Sequence, residues 1–225
     1  MGVSNLVVAI DGPSASGKST VAKRVAQALD CVYVDSGAFY RAVAWQAGRR
    51  GIAADNTGAI AQMLADMEFH VTVHQHSVVI SVDGNVPGEE LRSRSVRETV
   101  SPLAVLTAVR TFVTDRLRAT RSFGDLVMEG RDIGSVVFPD AQFKFYLDAD
   151  PEERARRRQR DLVARNESVD AARVARALRE RDARDSSRSA APLRVAAGAE
   201  RVDSTALSID EVVSHIVARV RAVAK

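Results

Sequence analysis

The run Gly12-Pro13-Ser14-Ala15-Ser16-Gly17-Lys18-Ser19, followed by Thr20, has the spacing of a loop that wraps phosphate. Glycines at this interval let main-chain N–H groups turn inward around anionic oxygens, and a helix starting at the lysine adds the positive end of its dipole. In such a loop Lys18 reaches the β and γ phosphates, the Ser19 hydroxyl ligates Mg²⁺, and Thr20 adds a phosphate contact. ATP with Mg²⁺ is therefore the expected co-substrate. The motif alone does not name a reaction, because switches, ATPases and kinases share it. No N-K-x-D sequence, the guanine-reading element, occurs in the chain.

Three further clusters carry arginine. Asp35-Ser36-Gly37-Ala38-Phe39-Tyr40-Arg41 and Glu129-Gly130-Arg131-Asp132 each follow a short apolar run, and Arg181, Asp185 and Arg188 are spaced to share one helical face. Each has a plain reading: Ser36 as a helix cap, Arg131-Asp132 as a loop ion pair, the third cluster as a solvated face. Together, beside a phosphate cradle, they match what phosphoryl transfer between two phosphates needs, which is cations on both sides of the moving group and the bidentate fork of arginine. Asp35 is a second candidate for holding Mg²⁺. The stretch containing Arg154, Arg156, Arg157, Arg158, Arg160 and Arg165 is too basic for a core. It reads as a cationic lid that closes over ATP and excludes water, with a nucleic-acid patch as the rival.

These residues need a scaffold, and the pattern supplies one. Leu6–Ile10, Val32–Val34, Leu126–Met128 and Phe143–Leu147 are short apolar runs that read as strands, and Val202 marks a last one. Helical texture covers about 19–29, 38–46, 96–119 and 170–184, and a final helix opens at Ser208 with Glu211 three residues on, a capping box. Strands alternating with helices predict an α/β fold with a mostly parallel sheet covered on both faces. Period-two valines at Val71, Val73, Val78, Ile80 and Val82 predict an antiparallel hairpin around His74-Gln75-His76. The turn signal Asp83-Gly84-Asn85 points to a further short strand, and the whole segment to an inserted subdomain. His70, His74 and His76 read as alternating positions on a surface face.

With 225 residues, the chain has room for one α/β domain with a small insert. At 46% hydrophobic and 27% charged it has a globular composition. The net charge of +3 suits a pocket for several phosphates as well as it suits nucleic acid. Aromatics at 5% argue against base-stacking platforms. A single cysteine, Cys31, excludes an internal disulfide and fits a reducing, cytoplasmic setting. No signal peptide or membrane span is expected.

The ordered set of Ile10-Asp11-Gly12-Pro13-Ser14 into Gly17-Lys18, Asp35-Ser36-Gly37 with Tyr40-Arg41, Leu91-Arg92, Glu129 to Gly134 with Val136 to Asp140, Glu180-Arg181-Asp182 with Asp185 and Arg188, Ala191-Pro192-Leu193, and Asp203-Ser204-Thr205 resembles the bacterial cytidylate kinases over nearly the whole chain. The resemblance implies a P-loop kinase domain over 1–225 with a five-stranded parallel sheet. It also implies a monophosphate-binding region at about 36–105, containing a β-rich insert at about 64–103, and a lid at about 152–168. The implied reaction is ATP plus CMP or dCMP giving ADP plus the diphosphate, with Mg²⁺, in a cytoplasmic monomer acting on small molecules alone, without nucleic acid or membrane. Carried over by position, residues 12–20 bind ATP. Ser36, Tyr40, Arg41, Arg131 and Arg188 surround the acceptor, Asp185 with Arg181 holds sugar hydroxyls, and Ser101, Arg110 and Asp132 read cytosine. Lys18, Arg131, Arg188 and the lid residue Arg157 are the implied catalytic cations. Ser19 and Ser135 stand where other members carry different residues.

Overall fold

The computed structural model describes residues 6–164, 170–188 and 191–223. Strand β1 (Val7–Asp11) runs into the glycine-rich loop and helix α1 (Lys18–Leu29); β2 (Val32–Asp35) leads into α2 (Ser36–Arg49). Then come α3 (Thr57–Asp66), the hairpin β3 (Phe69–His74) and β4 (Ser77–Val82), α4 (Arg94–Leu103), α5 (Thr107–Ala119) and β5 (Leu126–Gly130). The chain closes with β6 (Phe143–Asp148), α6 (Pro151–Val163), α7 (Ala171–Ser187), β7 (Glu200–Asp203) and α8 (Ile209–Val223).

The strands form one sheet in the order β3-β4-β2-β5-β1-β6-β7. Its centre, β2-β5-β1-β6-β7, is parallel throughout, as expected. The two faces are separated by pleat. Val7 and Ala9 pack with α2, α3 and α5 residues such as Phe39, Ile60 and Val113. Val8 and Ile10 pack with Val21 and Val25 of α1 and Ile216 of α8. All four β1 side chains are fully buried, and burying each Val or Ile stabilises the fold by about 1.5–3 kcal/mol. Strand β1 lies between β5 and β6: after β1 the chain moves by way of α1 to β2 on one side, and after β5 it crosses to β6 on the other. The C-terminal ends of β1, β2 and β5 therefore meet at the switch point where open α/β sheets bind ligands.

Four local expectations need revision. The β3–β4 hairpin is continuous with the main sheet, where β4 lies parallel to β2 through Tyr33 and Ser77. After Val82 the chain makes a turn closed by mutual Val82–Asn85 backbone bonds and enters a 3₁₀ turn at Gly88–Arg92, with no further strand there. The helical stretch after Val96 is two helices: Pro102, lacking an N–H, sits in the last turn of α4, and Leu106 is extended. Helix α3 was unforeseen, although Asn56 caps it and Ile60, Met63 and Leu64 share its buried face. His70 and His74 are exposed on edge strand β3, His76 sits at the hairpin turn, and the nearest carboxylates of His70 and His76 are different ones, Glu68 and Asp30.

Candidate active site

The loop after β1 is shaped by close approach. A Cβ on Gly12 would lie 2.0 Å from the Leu147 carbonyl oxygen, so only glycine fits there. Gly17 sits at φ 90°, and α1 begins with no side-chain cap, so its first N–H groups remain available to phosphate oxygens. Lys18 is buried, and its ammonium donates to the Pro13 carbonyl oxygen at 2.7 Å. Burial and the neighbouring Arg131 pull its pKa down to about 7, against the opposing pull of Glu129. The Ser19 hydroxyl donates to Glu129 Oε1 at 2.6 Å. Burial and the adjacent Asp35 charge raise the Glu129 carboxyl above the usual range.

Helices α6 and α7 fold over this loop. Ala15, at φ 61°, packs against the small apolar cluster of Leu162, Val174 and Leu178. Asp182 accepts from the Ser14 N–H at 3.4 Å and pairs with Arg154, which also donates to the carbonyl oxygens of Ser14 and Ala149. Arg157 donates to the Ser16 carbonyl at 3.3 Å, to Ser204 Oγ at 3.0 Å and O at 2.6 Å, and to Glu153 at 3.1 Å.

Across from Lys18 the arginines gather. Asp35 caps α2 by accepting from Ala38 N–H and holds Arg41 at 2.6 Å. Asp185 accepts from Arg131 Nε at 2.9 Å and lies 3.5 Å from an Arg188 nitrogen. Arg181 is close enough to Arg131 and Arg41 for their charges, after burial, to pull its pKa down to about 10, and Arg131 and Arg181 both act on Lys18. Arg41 Nε, Arg181 Nε and one Arg188 terminal nitrogen are buried without hydrogen-bond partners. Buried guanidinium donors without hydrogen-bond partners, the Arg188 one within 3.5 Å of Asp185, beside a lysine on which Arg131 and Arg181 act, are the electrostatics of an anion site. The strand end beneath them is tight, since a Cβ on Gly130 would sit 2.5 Å from Ser36 Oγ.

Beside this group Arg110 and Asp132 form a buried, hydrogen-bonded ion pair. Burial raises the Asp132 carboxyl, and Arg110 and Arg188 counter it. The Arg110 guanidinium lies 5.7 Å from the Tyr40 ring centroid and donates to the Ala104 carbonyl oxygen at 3.2 Å. Burial, with Asp132 nearby, pushes the Tyr40 phenol up to about 12. Ser101 is half-buried on α4, one turn before Ala104.

A family profile described as cytidylate kinase matches residues 8–222. The chain belongs to the cytidylate kinase family. The cytidylate kinase of Pelotomaculum thermopropionicum is 43% identical over 216 residues, covering 96% of each chain. That of Stutzerimonas stutzeri is 43% identical over 217 residues, with 95% of this chain and 94% of the relative covered. That of Geobacter sulfurreducens is 40% identical over 216 residues, with 96% and 93% covered. Among solved structures, TT1252 from Thermus thermophilus superposes with a TM-score of 0.51 at 17% identity, covering 97% of both chains, a likeness of fold. Membership in the cytidylate kinase family makes the protein a P-loop kinase, a nucleotide-binding transferase.

Within this cytidylate kinase scaffold most of the anticipated residues meet. Arg131, Arg181 and Asp185 act on Lys18, Arg41 acts on Arg181, Asp185 pairs with Arg131 and Arg188, and Arg110, Asp132 and Tyr40 adjoin Arg188. Ser36 is the first residue of α2 and not its cap, which is Asp35. Asp35, anticipated beside Mg²⁺, has its two oxygens on Ala38 N–H and Arg41, and the carboxylate on Ser19 is Glu129. Arg157, anticipated at the moving phosphoryl group, instead has all three nitrogens bonded to the back of the loop, Ser204 and Glu153. Helix α7 ends at Ser187, so Arg188 stands just past it. Arg165 lies outside the described residues. Exposed Arg156 and Arg160 pair with Glu152 and Glu153, an ordinary solvated face. Sequence reasoning gave no individual task to Asp11, Glu129, Asp182 or Ser204, and took Arg154 only as one of the lid arginines. The signal for the first two was an acid ending a fully apolar strand next to a phosphate loop.

Proposed function

We propose that the protein transfers the γ-phosphoryl group of ATP to CMP or dCMP, giving ADP and CDP or dCDP, by direct in-line displacement. The observation that carries this reading is the cluster in which Arg131 and Arg181 act on Lys18, Arg41 acts on Arg181 and Arg188 pairs with Asp185, beside the buried Arg110–Asp132 pair. In this reading residues 12–20 hold the ATP phosphates. Arg41, Arg131 and Arg188 bind the acceptor phosphate, with Ser36 at its edge. Asp185 and Arg181 meet the sugar, and Arg181 also flanks the transferring group. Tyr40 and Ser101 line the base, where Asp132 accepts from the cytosine amino group and Arg110 donates to its ring acceptors. A uracil in the same place leaves the Asp132 acceptor unpaired.

The hydroxyl of Ser19 with the carboxylates of Glu129 and Asp35, partners across β2 and β5, is a set of hard oxygens that suits Mg²⁺. Bound with ATP, the ion neutralises phosphate charge and orients the β and γ groups. The chain's residues do the remainder. Lys18 leaves the Pro13 carbonyl for phosphate oxygens, the arginines fix the attacking phosphate in line, and α6–α7 exclude water. The monophosphate-binding region is read as residues 36–105 with its insert at 64–103, and the lid as 152–168 extended by the α7 face that carries Asp182 and Arg181. We read the enzyme as a cytoplasmic monomer using small-molecule substrates only. Among the described residues no helix is long and apolar enough to cross a membrane.

The test is a coupled ADP assay with CMP, dCMP, UMP and AMP side by side. ADP formation greatest with CMP or dCMP and dependent on Mg²⁺ is expected. Equal rates with all four, or none with the cytidine nucleotides, refutes the assignment.

A further inference from the structure

Asp132 occupies the position just before the π-type turn Ile133–Val137. An aspartate there ordinarily folds back to accept the turn's own free N–H groups. Asp132 makes no such bond and pairs with Arg110 instead. The N–H groups it leaves go elsewhere: Ile133 N–H donates to Asp11 Oδ1 and Gly134 N–H to Asp11 Oδ2, each at 2.8 Å. Asp11 is immobile. It ends β1, is 3% exposed, and is paired in register with Gly130 on one side and Tyr146 on the other. Its next residue is Gly12, the start of the phosphate loop.

We propose that Asp11 is a positioning residue for base recognition: by occupying the two N–H groups that open the 133–137 turn, it keeps the Asp132 carboxylate turned toward Arg110 and the acceptor base. The proposal rests on the CMP reading above and adds a residue to it. The Ile133 and Gly134 N–H groups are both taken by Asp11, so neither donor is spare for the Asp132 carboxylate. Without Asp11 the two buried N–H groups lose their partners, and the Asp132 carboxylate, adjacent in the chain, is the acceptor at hand. Collapse onto its own turn would take Asp132 off Arg110. Burial raises the Asp11 carboxyl to about 7, its two N–H bonds oppose that rise, and the nearby Asp132 adds to it. One buried side chain thus sets the facing of the base reader.

The test is Asp11→Asn, which keeps the shape but presents an NH₂ to one of the two N–H donors. The ratio of kcat/KM for CMP to that for UMP is expected to fall roughly tenfold or more, the scale of losing one hydrogen bond to a charged group, while the KM for ATP stays near wild type. Asp132→Asn should itself lower the ratio, and adding Asp11→Asn to it should lower it no further, because the effect passes through Asp132. A purely structural role would depress CMP and UMP turnover alike and add to the Asp132 effect, and that result overturns the proposal, as does an unchanged ratio in Asp11→Asn. Should Asp11→Asn fail to fold, through-hydrogen-bond NMR couplings in the wild-type protein decide. Couplings from the Ile133 and Gly134 amide nitrogens to the Asp11 carboxyl carbon are expected, and their absence overturns it. A wild-type enzyme inactive on CMP refutes the functional reading and this proposal with it, whereas a CMP-selective wild type with a selective Asp11→Asn refutes this proposal alone.

Discussion

Burial and the neighbouring Arg131 charge hold Lys18 at a pKa of about 7. Lys18→Ala is expected to lower kcat by about two to three orders of magnitude, the scale of removing a preorganised charge-stabilising group, with an unchanged circular dichroism spectrum. The depressed pKa adds a finer expectation. Phosphate anions favour the charged ammonium, so ATP binding raises the lysine pKa and the complex takes up a proton. Titrated by calorimetry at pH 7 in buffers of different ionisation enthalpy, the wild-type protein should take up roughly half a proton more per ATP than Lys18→Arg. That excess should vanish below about pH 6, where the free lysine is already charged. Glu129→Gln keeps a hydrogen bond to Ser19 but removes a charge, and should weaken the apparent Mg²⁺ affinity about tenfold in activity measured against free Mg²⁺. Arg188→Ala should chiefly raise the acceptor KM, read from initial rates with CMP varied. Lys18 and the arginines were legible in the sequence because type and spacing define their chemistry. Glu129 was not, because its meeting with Ser19 spans 110 positions and exists only once β5 lies beside β1.

Among the elements, those that declare their own ends were the readable ones. The capping box at Ser208 and Glu211 forms as expected, with mutual bonds of 2.8 and 3.2 Å. The two central strands are apolar on both faces, and their runs show it. The break between α4 and α5 was harder to see, because Ala104, Val105 and Leu106 interrupt a helical pattern without a glycine. The attachment of α6–α7 was also hidden: part of it is Ala15, a residue of the glycine-rich loop, packing onto three side chains of α6 and α7. Leu178→Ala should weaken that docking by about 2 kcal/mol. Its expected signs are faster proteolysis of the α6–α7 region and a higher rate of ATP hydrolysis in the absence of an acceptor, both measurable beside the wild type.

At the scale of the molecule, the α/β class and the sheet's double cover followed from strand composition, but the order of strands did not. Periodicity says that a strand is buried, not which strand lies beside it. That Asp11, Glu129 and Asp35 share one edge depends on the β2-β5-β1-β6 order. The same order places the C-terminal strand ends at the switch point, where open α/β sheets bind ligands.

The pairing of β1 has a consequence for how the chain is made. Val7 pairs with Leu126 and Val8 with Phe143, so both neighbours of the first strand are encoded more than a hundred residues downstream. During synthesis the glycine-rich loop stays untethered until more than a hundred further residues have followed. Contacts of such long sequence separation form slowly. The earliest translated part of the site is among the last to acquire its shape, and the nascent apolar strand must be kept from other partners in the interval.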